Sequence, residues 1–259
     1  MARRALDGAA PRLARLGDAW PLGLGLVVVV AAWELAIAWL KLPPYVLPPI
    51  GQIIGRMQAD AALLSGGLWM TVLEALGGFA LGALIGLVIA ILLVLLPRLE
   101  AILLPVLVAI NSVPVVAYAP LSLIWFGIGP ASKIAMVTLA VGFAVLLNAL
   151  HGLKLADPAA IALMRSFGAG TGGIMLKLRL PGAMPSLVNG LRVGIVRAMI
   201  VAIVSEMLGA YRGIGWIIYE STQQVDFLRV WAAVFVAALA SMTLYGILVW
   251  IDRRLVWWK

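Results

Sequence analysis

The residues able to do chemistry in this chain are few, and their scarcity narrows its function. There is one histidine, His151, and no cysteine. Zinc chemistry of the H-E-x-x-H kind needs two histidines on one helix face, and neither a Ser-His-Asp triad nor a thiolate nucleophile can be assembled here. The stretch "GIGPASK" at Gly127–Lys133 lacks the G-x-x-x-x-G-K-[S/T] spacing that cradles nucleotide phosphates. No catalytic residue, metal site or bound cofactor is therefore expected of the chain itself.

What remains is a handful of polar residues inside apolar runs. Glu34, Glu74, Arg192, Arg197 and Glu206 are ionisable, and such residues in a membrane face a bundle interior or a cavity. Arg197 lies ten residues into the run that starts at Leu187, about 15 Å deep at 1.5 Å per residue. Two readings stay open for it. In the favoured one Glu74 or Glu34 holds it; in the other it lines a pathway and attracts an anion. Glu206 is ~13 Å farther along and on the opposite face, while Arg192 is near enough to the end to snorkel toward headgroups. Asn111 and Ser112 stand just before Pro114, which interrupts the helical ladder; the freed carbonyls and these side chains either contact a polar solute or satisfy one another. Asn148, Ser205 and Glu206 are weaker candidates. The pathway candidates are thus Asn111, Ser112, Arg197, Ser205 and Glu206.

The elements that must position these residues are membrane helices. The 259 residues are 64% hydrophobic and 12% charged, with a mean hydropathy of +1.11, whereas soluble domains average roughly 45–50% apolar and about 25% charged. Six apolar runs, at about 20–40, 66–96, 101–121, 130–150, 187–210 and 229–251, meet the ~20 residues needed to span a bilayer. The second is long enough to tilt or project. Runs such as "LGALIGLVIAILLVLL" do not alternate, which excludes a β-barrel. The expected fold class is an all-α polytopic membrane protein with six transmembrane helices.

The net charge of +8 would suggest nucleic acid on a soluble domain. Here the cations lie between the hydrophobic runs and act as topology signals, so no nucleic-acid partner is expected. With a cytoplasmic N-terminus, twelve of the 19 lysines and arginines fall inside, five outside and two within the fifth run, which places both termini in the cytoplasm. The run from Trp20 to Leu40 exceeds the ~7–15 residues of a signal-peptide core and is read as the first anchor. The organisation is then a basic N-terminus, 1–19, one membrane domain, 20–251, and a short C-terminus, 252–259. Between the first two runs, "KLPPYVLPPIGQ" forces an extended path, and Ile53, Ile54 and Met57 suit a short interfacial helix. Gly78, Gly82 and Gly86 recur every four residues, with Ala90 continuing the row, stripping one helix face for close packing.

The longest polar interval is the cytoplasmic loop at about 152–185. Asp157-Pro158 is a helix start, Gly168 a left-handed stop, and Thr171 a cap for a second short helix that ends at Pro181. Two short helices joined at a glycine elbow result, with Arg165, Lys177 and Arg179 toward water or headgroups. From the residues alone, an interfacial linker attracted to anionic lipid and a rigid knob for a cytoplasmic partner are equally good readings.

This loop resembles the coupling loop of binding-protein-dependent ABC importer permeases. The spacing from Gly168 through nine residues to Leu178-Arg179-Leu180-Pro181 is that of the family, while Ala162-Leu163-Met164 replaces its E-A-A triplet. "VPVVAYAPLSLIWFGIGPASK", "RSFGA", "LPPYVLPP" and "SEMLGAYRGIGWII" resemble the nitrate/sulfonate/taurine/bicarbonate branch. The resemblance implies a type I importer (MetI-like) fold and a homodimer with a second permease copy. It also implies two cytoplasmic ATPase subunits that carry the ATP and Mg, an extracytoplasmic solute-binding protein, and a bacterial inner membrane. Leu163, Met164, Arg165, Ser166, Phe167, Gly168, Ala169, Leu180 and Pro181 would contact the ATPase, and alternating access would import a small polar, anionic solute. A self-contained secondary transporter is the alternative; the paired broken helices it calls for are not found in the sequence.

Overall fold

In hydrocarbon every backbone N–H and C=O must be satisfied within its own segment, so the apolar runs have little choice but to become helices. The computed structural model describes residues 20–255, which are helical throughout apart from connections and hold no strand. The basic segment 1–19 and residues 256–259, part of the expected C-terminal tail, lie outside the described residues.

Among the described residues, five helices are long and apolar enough to cross a membrane. They are α1 (Trp20–Leu40), α3 (Ala61–Leu95), α6 (Pro130–Lys154), α8 (Thr171–Gly209) and α10 (Phe227–Leu255). The short α2 (Ile50–Ala59) lies between α1 and α3. The expected straight span at 101–121 is instead two pieces, α4 (Pro97–Ser112) and α5 (Ala119–Phe126), bent by 88° through a single tight turn at Val115–Tyr118. Pro114 explains the difference. It has no N–H to continue the ladder, and it drives Val113 into an extended conformation at φ −79°, ψ 129°. The Tyr118 hydroxyl then donates to the Ile110 carbonyl at 3.1 Å, bracing the break.

The centre of the bundle is α6, packed between α3 and α8. On one side Gly78, Gly82 and Gly86 of α3 lie against its backbone. A methyl group added at Gly82 would sit 2.7 Å from the Thr138 carbonyl oxygen, so backbone meets backbone and no side chain fits. The Thr138 hydroxyl adds a long bond, 3.4 Å, to the Gly78 carbonyl. Val137, Val141 and Val145 of α6 share one core with Ala198, Met199 and Ala202 of α8. By contrast no described side chain of α1 is fully buried. It is tied on by Trp33, whose ring meets Trp231 edge-on at 5.1 Å and whose Nε1–H donates to the Pro48 carbonyl. Beside it Glu34 accepts the Ile50 N–H at 2.9 Å, at the start of α2.

At the end of the bundle where α3 and α10 begin, four charged residues interlock. Asp60 accepts from Arg56 at 2.7 Å and from Arg229 at 2.8 Å, and Asp226 also receives Arg56. The network fastens α2 to the first residues of α3 and α10. Burial alone would raise the Asp60 carboxyl, but the hydrogen bonds from Arg229 and Arg56 outweigh it and hold the group below its ordinary value. A carboxyl held low stabilises the fold above its unfolded pKa of about 3.9 and loses that contribution as pH falls through the folded value. In thermal melts of the purified protein, the wild type should therefore lose stability on acidification below about pH 4, and Asp60→Asn should be less stable at neutral pH with a flatter acid limb. An identical acid limb in both proteins would refute the assignment.

Candidate functional site

The elbow at Gly168 is built by local rules. The Asp157 carboxylate accepts the Ala159 N–H at 2.9 Å, and Pro158 occupies the first turn of α7 (Pro158–Ser166). At the other end the Ala169 N–H bonds back to the Met164 carbonyl at 3.0 Å and the Gly168 N–H to Arg165 at 2.9 Å. This pair of bonds is a Schellman closure, and it needs a left-handed residue, here Gly168 at φ +79°. The Ser166 hydroxyl folds back to the Leu163 carbonyl at 2.7 Å. Leu163 and Phe167, four residues apart, are 58% and 81% exposed, while Met164 and Ala169 are half-buried.

The second half of the loop departs from expectation. Helix α8 starts at Thr171, with Gly170 rather than a threonine side chain at the cap. It does not stop at Pro181. A wider π-type stretch at Met175–Arg179 leads into Leu180, and the helix continues to Gly209. Widening the helix just before Pro181 makes room for a ring that would otherwise clash with the preceding turn. Leu180 packs against the main core and Pro181 is exposed, so both belong to the span rather than to the elbow.

The polar residues of the spans are sorted as sharply. Glu206 is fully buried, accepting Thr71 Oγ1–H at 2.8 Å and the Gly215 N–H at 2.7 Å, while Thr71 accepts the Ile214 N–H at 2.8 Å. Glu74 is buried beside it, with Oε2 accepting no hydrogen bond. Lys133, only 1% exposed, extends its ammonium to the carbonyls of Ile128, Gly129 and Gly209, within reach of both carboxylates' charge. This cluster pins α3, α6, α8 and the start of α9 (Ile214–Gln223) together. Glu206 is thus an internal anchor and no open surface of this chain. Ser205 is also buried, bonded to the Ala202 carbonyl.

Arg197 overturns the favoured pairing. Its side chain is exposed, and neither Glu74 nor Glu34 meets it; among the described residues it has no ion-pair partner. Arg192, by contrast, pairs with the buried Asp252 of α10, a partner far away in sequence. Asn111 is half-buried on the wall of a wide apolar cavity of about 790 Å³ between the broken span and the α3–α6 pair. Ser112 is exposed and bonded to the Val108 carbonyl, and Asn148 accepts from Asn189 at 3.1 Å. Lys133 was the residue most easily missed, because it stands near a loop and counts as a topology signal. The clue is its place in the first turn of a helix, where a cation opposes the macrodipole and needs acceptors of its own.

Residues 82–257 match the family described as the binding-protein-dependent transport system inner membrane component. The chain belongs to that family. This permease is 33% identical over 89% of its length to a probable ABC transporter permease protein of Haemophilus influenzae, covering 94% of that protein. It is 32% identical to a riboflavin transport system permease protein of Chloroflexus aurantiacus, covering 93% of this chain and 91% of that one. To the taurine transport system permease protein of Escherichia coli it is 30% identical, covering 94% of each. Its fold is shared with an amino acid ABC transporter solved with histidines, at a TM-score of 0.62 and 20% identity over 77% of this chain and 97% of that one. It is an ABC importer permease with taurine and aliphatic-sulfonate permeases among its relatives, a multi-pass inner-membrane protein and a transporter component rather than an enzyme.

Two substitutions test this geometry. Gly168→Val places a branched side chain in a left-handed conformation at a cost of about 1–2 kcal/mol, so hydrogen exchange at the Gly168 and Ala169 amides should quicken roughly 5- to 30-fold, and Gly168→Asn far less. Lys133→Met leaves buried carboxylates uncompensated and should cost about 3–5 kcal/mol of stability. Adding Glu74→Gln should restore part of it; a strictly additive double variant would show that the three charges do not interact.

Proposed function

We propose that this permease imports a small anionic solute by alternating access, as a homodimer driven by two ATPase subunits seated on the elbow at Gly168. The elbow carries the reading. A partner can drive a membrane domain only if it interacts differently with two conformations, and the difference must travel through a part that does not yield. A capped helix closed by two backbone bonds, presenting Leu163 and Phe167 to water, has that stiffness and offers an apolar grip. ATP and Mg belong to the partner subunits, and an extracytoplasmic binding protein selects and delivers the solute.

Arg197 supports the pathway and the second copy together. A guanidinium near mid-depth on the outside of one copy is costly against lipid. A second copy related by a two-fold axis would cover it, place two such cations about the axis and leave water to hydrate them. The taurine relative is named for an anion-bearing solute, which agrees with a positive passage. Both termini are then cytoplasmic, on the side of the elbow.

Purification from gently solubilised membranes should yield the permease with stoichiometric ATPase. In liposomes, ATP-driven uptake of a sulfonate-bearing solute such as an alkanesulfonate should fall at least tenfold in Arg197→Gln with the melting temperature unchanged, since a lost charge-assisted contact costs about 1.5–3 kcal/mol. Uptake without ATPase, or full activity in the variant, would overturn the reading.

A further inference from the structure

Helix α7 has two faces. Leu163 and Phe167 form the exposed one; Ile161 and Arg165, also four residues apart and about 200° away around the helix, line the other. That second face walls a cavity of about 210 Å³ against the first turns of α8. Arg179 of α8 lines it too, opposite Arg165 on α7. Among the described residues neither guanidinium meets a carboxylate, so two cations line one cavity without a counter-charge.

Apart from Thr171 of α8, the rest of the wall is apolar. Val94 and Leu95 come from the last turn of α3, Pro97 from the start of α4, and Met175 from α8. Leu95 is the last residue of a helix that spans the hydrocarbon, so the cavity sits where acyl chains give way to headgroups. A ligand suited to it carries anionic oxygens for two guanidinium forks and an apolar stem beside them. We infer that this cavity is a phosphate site that takes the headgroup of an anionic phospholipid. A carboxylate from a protein partner would leave the apolar wall uncovered, and a protein grip is already offered on the opposite face by Leu163 and Phe167. A phosphate held by both arginines ties α7 to α8 and stiffens the elbow; that consequence, unlike the binding, rests on the coupling role proposed above.

The test reads binding, so it fails or succeeds independently of transport. The full chain in mild detergent is offered phosphatidylglycerol or phosphatidylcholine, and retained lipid is measured by native mass spectrometry. Wild type should retain phosphatidylglycerol preferentially, and Arg165→Gln and Arg179→Gln should each lower that retention roughly fivefold. Lys177→Gln, a neighbouring exposed cation outside the cavity, should leave it unchanged. Arg165→Lys and Arg179→Lys, which keep charge but lose the fork, should fall between. Equal retention of the two lipids would overturn the site. So would unchanged retention in a double Arg→Gln variant with a normal melting temperature. Displacement of the lipid by millimolar inorganic phosphate would overturn the lipid assignment in favour of a free anion, and resistance to it supports the lipid. Loss of lipid from wild type on adding the ATPase subunits would assign the arginines to that partner and overturn the proposal as well.

Discussion

Everything in this permease is hung on the contact between α3 and α6. Lipid offers no hydrophobic gain for bringing two apolar helices together, so close packing must supply the attraction. Removing side chains along Gly78, Gly82 and Gly86 lets the α6 backbone approach to a distance that even a methyl group would forbid. Once α6 is fixed in this way, its opposite face sets the position of α8, and α8 carries the elbow at one end and Glu206 near the other.

Charge is treated differently at each depth. Near the far end the network of Arg56, Asp60, Asp226 and Arg229 is partly wet and joins helix termini. Deeper, Lys133, Glu74 and Glu206 are almost completely enclosed, and the cost of enclosing them is offset by carbonyls, Thr71 and the Gly215 amide. Arg192 finds Asp252 on a neighbouring helix. Against this pattern Arg197 stands out, since a fold that satisfies its other membrane cations leaves this one open.

Local information in the sequence was enough for local structure. The apolar runs foretold the spans, Asp157-Pro158 the start of α7, and Gly168 its stop, because each depends on a few adjacent residues. Two prolines misled for opposite reasons. Pro114 was seen to interrupt the ladder, yet nothing nearby specifies an 88° bend; the size of the turn is set by the packing of α4 and α5 on α6. Pro181 looked like a stop, but a π-type stretch absorbs it, and a helix entering hydrocarbon gains too much from continuing to end there. Charge partners were the least legible. Arg192 and Asp252, or Arg56 and Asp226, meet only because helices distant in sequence are laid side by side, and no short-range pattern records that.

The continuity of α8 has a mechanical meaning. From Thr171 to Glu206 the chain is helical without interruption, a rod of about 50 Å at 1.5 Å per residue. A rod of that length would work as a see-saw if tilted. A 10° rocking about its middle would swing each end by roughly 4 Å, in opposite directions on the two sides of the membrane, with Arg197 carried along between. The π-type stretch, just inside the Thr171 end, is the natural place for slack in that beam. Any motion imposed beside Gly168 would need no relay through side chains to reach the far surface, because the same helix is present at both.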